Sequence, residues 1–381
     1  MRHHVTSELP RDRPLEDIAP PPPLLSIIIP TFNESENVSE VVRRLEGLIH
    51  GFSWEVIFVD DDSSDGTPGA LLALAQSKPH VRLLHRIGRR GLASAVVEGI
   101  LSTSAPYVAV MDADLQHDEK CLLDMLDKIR TTDVEMVIGS RYLDGNSVEN
   151  WQESRQSISR IATRLAHTII DAKITDPMSG FFMLRRDAFD RAVRRLSSMG
   201  YKILVDILVS AQPPLRVAEV PYVFRNRLYG ESKLDSAIVL EYLMLLLDKS
   251  VGRFLPVRFI MFMLVGGAGV FVHMLTLLIM NQGLQASFVE SQFIAVFTAM
   301  TFNFFVNNAL TYRDKRIKGA RGLLRGLISF YAVCSVGAIS NVGIAAFLFE
   351  QSYAWWVSGL AGILLGVVWN YAVSSLLTWR G

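Results

Sequence analysis

Asp112 and Asp114 stand two residues apart where the apolar run Tyr107-Val108-Ala109-Val110-Met111 ends. Strand side chains alternate faces, so an extended chain would turn both carboxylates to one side, with Gln116 next in the same row. Magnesium and manganese take hard oxygen ligands and commonly share them with substrate phosphates. These three residues are therefore a candidate metal site against a diphosphate, while capping of the next helix is the structural alternative for the Asp-x-Asp pair. A second acidic cluster is Asp60-Asp61-Asp62-Ser63-Ser64-Asp65-Gly66-Thr67. Adjacent carboxylates repel one another unless cations or hydrogen-bond donors neutralise them. The cluster thus reads either as a ligand-binding loop or as a turn built from Asp, Ser and Gly.

The elements that must position these groups follow from hydrophobic periodicity. Leu24 to Ile29 reads as a strand, closed by Pro30-Thr31-Phe32-Asn33-Glu34 and followed by a helical pattern through Val38, Val41, Val42, Leu45 and Leu48. Trp54 to Val59 reads as the next strand, leading through the acidic cluster into another helix. A third unit runs from Val81 to Leu84 through Arg89-Arg90-Gly91 into a helix, and then comes the strand that ends at Asp112. Alternating strands and helices predict an α/β domain with a parallel sheet, whose ligands bind beyond the carboxyl ends of the strands. Both acidic clusters fall at such ends.

Taken together, Pro30-x-Phe32-Asn33-Glu34, Asp60-Asp61-Asp62-Ser63-x-Asp65-Gly66-Thr67, Asp112-Ala113-Asp114-Leu115-Gln116-His117, Gly139-Ser140-Arg141-Tyr142, Asp176-Pro177-Met178-Ser179-Gly180-Phe181 and Arg227-Leu228-Tyr229-Gly230-Glu231-Ser232-Lys233-Leu234 resemble the family 2 glycosyltransferases. Within that family they are similar to the dolichol-phosphate mannosyltransferase, or polyprenyl-phosphate mannose synthase, type. The resemblance covers about residues 24 to 250 and implies a GT-A, Rossmann-like nucleotide-diphospho-sugar transferase domain.

The resemblance also implies roles. Pro30, Phe32, Glu34, Val59, Asp61, Asp112, Ala113, Asp114 and Gln116 would bind the donor, with Mg2+ or Mn2+ held by Asp112, Asp114 and Gln116. Phe32 stands where the family often has Tyr, which keeps ring packing and loses a hydroxyl hydrogen bond. Arg141 would bridge donor and acceptor phosphates. Ser140, Arg155 and Ser159 would join it around the acceptor lipid phosphate, and Arg227 and Lys233 would close over the diphosphate on a loop hinged at Gly230. The catalytic set is then Asp112, Asp114, Arg141, Arg227 and Lys233. The implied reaction transfers mannose from GDP-mannose to a polyprenyl (dolichyl or undecaprenyl) phosphate, with UDP-glucose or another UDP-sugar as the alternative donor. A non-catalytic translocator of lipid-linked sugar is the alternative from a different class.

Half of the 381 residues are hydrophobic while the formal net charge is zero, and the apolar excess lies after residue 255. No nucleic-acid partner is expected. Four stretches there, at about 257–280, 289–311, 324–349 and 355–378, meet the roughly 20 residues that a membrane-spanning helix needs. Phe259-x-x-x-x-Val265-Gly266-Gly267 and Asn303-Phe304-Phe305-Val306-Asn307-Asn308 make them similar to GtrA-like membrane domains of four helices. Asn303, Asn307 and Asn308 read either as headgroup ligands or as hydrogen bonds between helices. Trp355, Trp356, Trp369 and Trp379 read as interfacial anchors or as bundle packing. The loop after the second span carries Arg313, Lys315, Arg316, Lys318, Arg321 and Arg325, whereas Asn281 to Glu290 and Glu350 to Tyr353 carry no Lys or Arg. The positive-inside rule then predicts a multi-pass protein with the acidic-motif domain and both termini in the cytoplasm.

Residues 1–23 are polar, end in Pro20-Pro21-Pro22-Pro23 and read as a disordered tail, followed by the transferase domain at 24–235, an interfacial helix and linker at 236–256 and the membrane domain at 257–381. Two segments suit a membrane surface. One carries Arg155, Ile158, Arg160, Ile161, Arg164, Leu165, His167, Ile169 and Ile170 at helical spacing, and the other is Ile238 to Leu247, for which packing on the sheet is the equal alternative. Cys121 and Cys334 lie too far apart in sequence to suggest a disulfide framework or zinc site. No repeat of the solenoid kind is visible.

Overall fold

The β-branched runs become β1 (Leu25–Thr31), β2 (Trp54–Asp60), β3 (Val81–His85), β4 (Tyr107–Val110), β5 (Met136–Ser140), β6 (Phe182–Arg185) and β7 (Val217–Pro221). In this computed structural model they form one sheet in the order β3-β2-β1-β4-β6-β5-β7. The structure describes residues 22–143, 169–170, 174–197, 202–225, 236–252 and 255–379. The chain divides into two compact units, Met1–Ser250 and Val251–Gly381.

The sheet is mixed where sequence alternation alone predicts a parallel one. β6 runs antiparallel to both β4 and β5, while β1 pairs in parallel with β2 and β4, and β7 in parallel with β5. Reversal of β6 brings its first residues, rather than its last, to the rim where β4 and β5 end. That puts the Asp176–Gly180 turn beside Asp112.

Apolar residues on both strand faces explain the near-continuous hydrophobic runs, because helices cover both sides. Leu25, Ile27, Ile29, Val56 and Phe58 pack on one side with α1 (Val38–Leu48) and α4 (Cys121–Thr131). Ile28, Ile57, Val59, Val108 and Val110 face the other, under α3 (Leu92–Leu101), α5 (Arg186–Ala192), α6 (Ile203–Ser210) and α7 (Ser236–Val251), with α2 (Thr67–Ser77) following the acidic loop. The segment Ile238 to Leu247 belongs to α7. Tyr242, Leu245 and Leu246, at i, i+3 and i+4, are buried in the sheet's core, which decides in favour of packing for that face. Lys249 near its end pairs with the fully buried Asp206 at 2.6 Å.

The second unit holds α8 (Val257–Leu278), α9 (Phe288–Val306), α10 (Ala320–Glu350) and α11 (Trp355–Leu377). They supply four candidate spans, at Val257–Gly283, Phe288–Thr311, Ala320–Glu350 and Leu360–Leu377, long and apolar enough to cross a bilayer. Ser287 and Glu290 close a reciprocal capping box at the start of α9. The Asn side chains serve packing. Asn307 accepts from the Thr311 hydroxyl at 2.7 Å, and Asn308 brackets the Ile317 backbone and accepts from the Trp379 indole at 3.0 Å. Trp379 is fully buried and stacks on Tyr312 at 4.1 Å, so its role is bundle packing and not interfacial anchoring.

These contacts expose a tandem repeat, longer than a solenoid period. Asn303-Phe304-Phe305-Val306-Asn307-Asn308-Ala309-Leu310-Thr311-Tyr312-Arg313 aligns with Asn370-Tyr371-Ala372-Val373-Ser374-Ser375-Leu376-Leu377-Thr378-Trp379-Arg380. Upstream, Ile260, Phe262, Val265 and Gly269 align with Ile328, Phe330, Val333 and Gly337. Equivalent residues make equivalent contacts. A Cβ at Gly269 would collide with the Asn303 amide, and one at Gly337 with the Asn370 amide. Phe262 meets Tyr371 at 5.8 Å while Phe330 meets Phe304 at 6.0 Å, and the stacked Tyr312 and Trp379 are themselves an equivalent pair. The unit is thus one helical hairpin used twice.

Candidate active site

The sheet's carboxyl-end rim carries the groups singled out in the sequence. At the end of β1, Pro30 pairs in register with Val59 of β2, and Phe32, Asn33 and Glu34 begin the following loop. Asn33 takes a positive φ of 53° and exchanges hydrogen bonds with Ser63 and Ser64, while the Glu34 backbone donates to the Thr67 hydroxyl at 3.0 Å. The two loops therefore hold one another. Arg90 lies over the Phe32 ring at 4.3 Å, a cation–π contact that pattern reading does not reveal.

The Asp60-Asp61-Asp62 repulsion is answered locally. Ser63 donates to Asp60 through both its backbone and its hydroxyl, and Asp62 accepts from the Gly88 backbone at 3.2 Å. Asp61 accepts from Arg86 at 2.5 Å and from the Gly91 backbone at 2.6 Å. Both of its oxygens are thus bound by the protein, so it ties the acidic loop to the Arg86–Gly91 segment. Burial nonetheless pushes its carboxyl above the ordinary range, against the Gly91 and Arg86 contacts. The Val59 side chain is fully buried in the core, which leaves its backbone as the part at the rim.

β4 ends at Val110, before the carboxylates, and Leu115 has a φ of 60°. Alternation along a strand therefore does not set the row Asp112, Asp114, Gln116; a turn does. The Gln116 backbone donates to Asp114 at 3.2 Å, and the Gln116 amide donates to the Arg225 carbonyl at 3.1 Å, an anchor outside any strand register. Arg225 in turn ion-pairs with Asp118 and Glu119 and ties the loop to the end of β7. The Asp112 side chain is 40% exposed, whereas residue Asp114 is buried. His117, buried and stacked on Phe181 at 4.9 Å, accepts the Asp112 backbone N–H at Nδ1. That bond fixes the tautomer with the proton on Nε2, which lies 3.8 Å from Asp112 Oδ2.

At the end of β5, Arg141 makes a two-pronged pair with Asp176, Nε to Oδ2 at 2.7 Å and Nη2 to Oδ1 at 2.8 Å. Asp176 is fully buried. Burial opposes the Arg141 charge, and the Asp176 contacts outweigh it and hold the guanidinium above its ordinary pKa. The Ser140 hydroxyl is buried between Thr175 Oγ1 at 2.6 Å and the Tyr142 N–H at 3.2 Å, which ties the end of β5 to the Asp176 turn. Glu219 of β7 receives the Thr175 and Asp176 backbone N–H groups. Four residues further along the same turn, a Cβ at Gly180 would stand 3.0 Å from Asp112 Oδ2. A side chain there would make the carboxylate give way by a few tenths of an ångström. The turn therefore brings Asp112 and Arg141 to one place, through Asp176 and Gly180. Asp176 and Gly180 were legible as a motif, whereas His117 and Arg225 gain meaning only from the fold. Arg155, Ser159, Arg227 and Lys233 lie outside the described residues.

As donors for a divalent cation, the carboxylates of Asp112 and Asp114 are hard oxygens of the right kind. Among the described residues no group of three His, Cys, Asp or Glu side chains converges. That donor set fits an ion taking its remaining ligands from a diphosphate and water, the habit of magnesium and manganese at phosphate-transfer sites.

Residues 26–192 match the family description Glycosyl transferase family 2, and residues 261–379 match GtrA/DPMS, transmembrane domain. A dolichol-phosphate mannosyltransferase of Pyrococcus furiosus is 33% identical over 366 residues, covering 93% of this chain and 99% of that protein. Dolichol-phosphate mannosyltransferases of Mycosarcoma maydis and Saccharomyces cerevisiae are 36% and 34% identical, covering 64% and 60% of this chain and 85% and 88% of those proteins.

Proposed function

Since the chain belongs to the family 2 glycosyltransferases of the dolichol-phosphate mannosyltransferase type and is a membrane enzyme, we propose that it transfers mannose from GDP-mannose to a polyprenyl phosphate at the cytoplasmic face, with inversion. The observation that carries this reading is the turn Asp176–Gly180, which couples the phosphate-binding type of cation, Arg141, to the Asp112 carboxylate. Both are the groups such a transfer needs.

The acceptor is a phosphate monoester with a second pKa of about 6, so near neutral pH its oxygen is already a dianionic nucleophile. No general base is required. The protein's task is to align that oxygen with the anomeric carbon and to offset the repulsion between acceptor phosphate and departing diphosphate. Arg141, locked in orientation by Asp176, contributes a planar fork suited to phosphate. Ser140 holds the end of β5 against Thr175, and so places Arg141. Phe32 and Glu34, with the backbone beside Val59 and the wall built on Asp61, form the nucleoside side of the pocket. Asp112 and Asp114 would hold Mg2+ or Mn2+, which when bound offsets the charge of the departing diphosphate. Arg155 and Ser159 would grip the lipid phosphate, and Arg227 and Lys233 would close over the donor. Attack without a covalent intermediate inverts the anomeric centre, giving a β-linked product from an α-linked donor.

The test incubates the purified full-length protein with polyprenyl phosphate, Mn2+ or Mg2+, and separately labelled GDP-mannose and UDP-glucose. Label entering the organic phase from GDP-mannose alone is the expected result. Label from UDP-glucose alone would overturn the donor, and lipid movement without transfer would overturn the reaction.

A further inference from the structure

The segment between the second and third candidate spans is tied down by the bundle. Asn308 accepts the Ile317 N–H at 2.9 Å and donates to the Ile317 carbonyl at 3.1 Å, while the buried Trp379 indole holds the same Asn308 side chain at 3.0 Å. The Ile317 side chain then lies along the start of α10. A Cβ at Gly322 would stand 3.1 Å from it and one at Gly326 2.8 Å, so two glycines one turn apart make room for it. The chain before α10 thereby folds back along the first turns of that helix.

This fold-back gathers charge. Arg316 and Lys318 flank the pinned Ile317, and Arg321 and Arg325 directly precede the two glycines, at i and i+4 of α10. All four are exposed, and among the described residues none of them pairs with a carboxylate. Exposed arginines of the other unit behave differently: Arg43 rests on Glu40 at 2.6 Å and Arg89 on Glu98 at 2.9 Å. From Arg313 to Phe349 the sequence offers Asp314 alone as an acid, and the first turn of α10 has none. Four like charges held together repel one another, so the arrangement is favoured where an anionic surface faces it.

Its place supplies such a surface. The segment joins Phe288–Thr311 to Ala320–Glu350, both long and apolar enough to cross a bilayer, and so lies at headgroup level. Leu324 and Ile328, on the same turns as Arg321 and Arg325, are exposed apolar side chains suited to the adjoining acyl chains. A count of charges orients spans whatever the shape of the loop. A pinned cluster of guanidinium and ammonium groups does more, because it presents several donors to one phosphate-rich layer at once.

We propose that Arg316, Lys318, Arg321 and Arg325 form a binding surface for the phosphate headgroups of anionic phospholipids. The surface belongs to the membrane unit alone and stands independently of the transferase reading above.

The full-length protein, stripped of lipid in neutral detergent, would be titrated with phosphatidylglycerol and with phosphatidylcholine, binding being read from retained labelled lipid and from melting temperature. The parent should bind phosphatidylglycerol about tenfold or more tighter, with a preference that shrinks as salt rises. Arg321→Gln with Arg325→Gln should remove most of that preference, whereas Arg321→Lys with Arg325→Lys should keep it. The exposed pair Arg194→Gln with Arg195→Gln, in the other unit, should leave it unchanged. The proposal is overturned if the parent binds both lipids within about twofold, or if the Arg321 and Arg325 glutamine pair keeps the preference. Equal loss in the Arg194 and Arg195 pair would overturn it in favour of net charge. Competition by inorganic phosphate as effective as by phosphatidylglycerol would overturn it in favour of a free anion. Loss in the glutamine and lysine pairs alike, with a lower melting temperature before lipid is added, would overturn it in favour of a merely structural role.

Discussion

Asp112 and Asp176 are both aspartates of one site, and their surroundings give them opposite liabilities. The Asp112 side chain is 40% exposed, so its replacement leaves no buried charge behind. We expect Asp112→Asn to lower product formation on the order of a hundredfold or more while the melting temperature stays near that of the parent, read by transfer assay and thermal denaturation. Asp176 is fully buried under Arg141. Asp176→Asn strands that guanidinium, at a cost of about 3–5 kcal/mol for breaking a buried pair. Lost activity should then come with a clearly lower melting temperature, and an unchanged one would refute the clamp. The Asp-x-Asp and the Asp176–Gly180 motif were legible as residues. Their partnership was not, because it depends on the reversal of β6.

Strands and helices carry their own tests. Glu55 of β2 accepts from Ser26 of β1 at 2.6 Å and from Thr103 at 2.5 Å, and pairs with Arg82 of β3 at 2.9 Å. Burial raises its pKa, but the Ser26, Thr103 and Arg82 contacts outweigh this and leave it below the ordinary glutamate value. Its stabilisation is therefore fully present above the unfolded value of about 4.3 and is lost as pH falls through the lower folded value. Glu55→Gln should flatten the acid limb of the melting-temperature profile in that window. In the membrane unit, Gly269 and Gly337 admit the amides of Asn303 and Asn370. Gly269→Val and Gly337→Val should each destabilise by about 1–3 kcal/mol through overpacking, and by similar amounts, as measured by thermal inactivation in detergent. Strongly unequal effects would contradict the equivalence of the two hairpins.

At the scale of the whole molecule, charge between spans predicts orientation. With Cys121 and Cys334 replaced by serine, a single cysteine at Lys318 should resist a membrane-impermeant maleimide in intact cells, and one at Ser352 should react. The reverse pattern would put the transferase unit on the other face. Both helix pairs of the membrane unit would still be present, since their packing does not depend on direction.

Hydrophobic period and length by themselves determined the early strand–helix units and the apolar spans, because burial on a sheet face and passage through a bilayer each impose a count that composition must meet. Residue type determined the chemistry on offer: hard carboxylates and a guanidinium in the order of a known family. Tertiary structure alone decided which groups meet. It turned the chain after Val110 so that Gln116 is tied to Arg225, spent Asp61 on Arg86, and buried Trp379 against Tyr312. Such pairings join residues tens of positions apart, and no local pattern encodes them. They follow from strand order and direction, which are set by how the whole chain shares its buried surface.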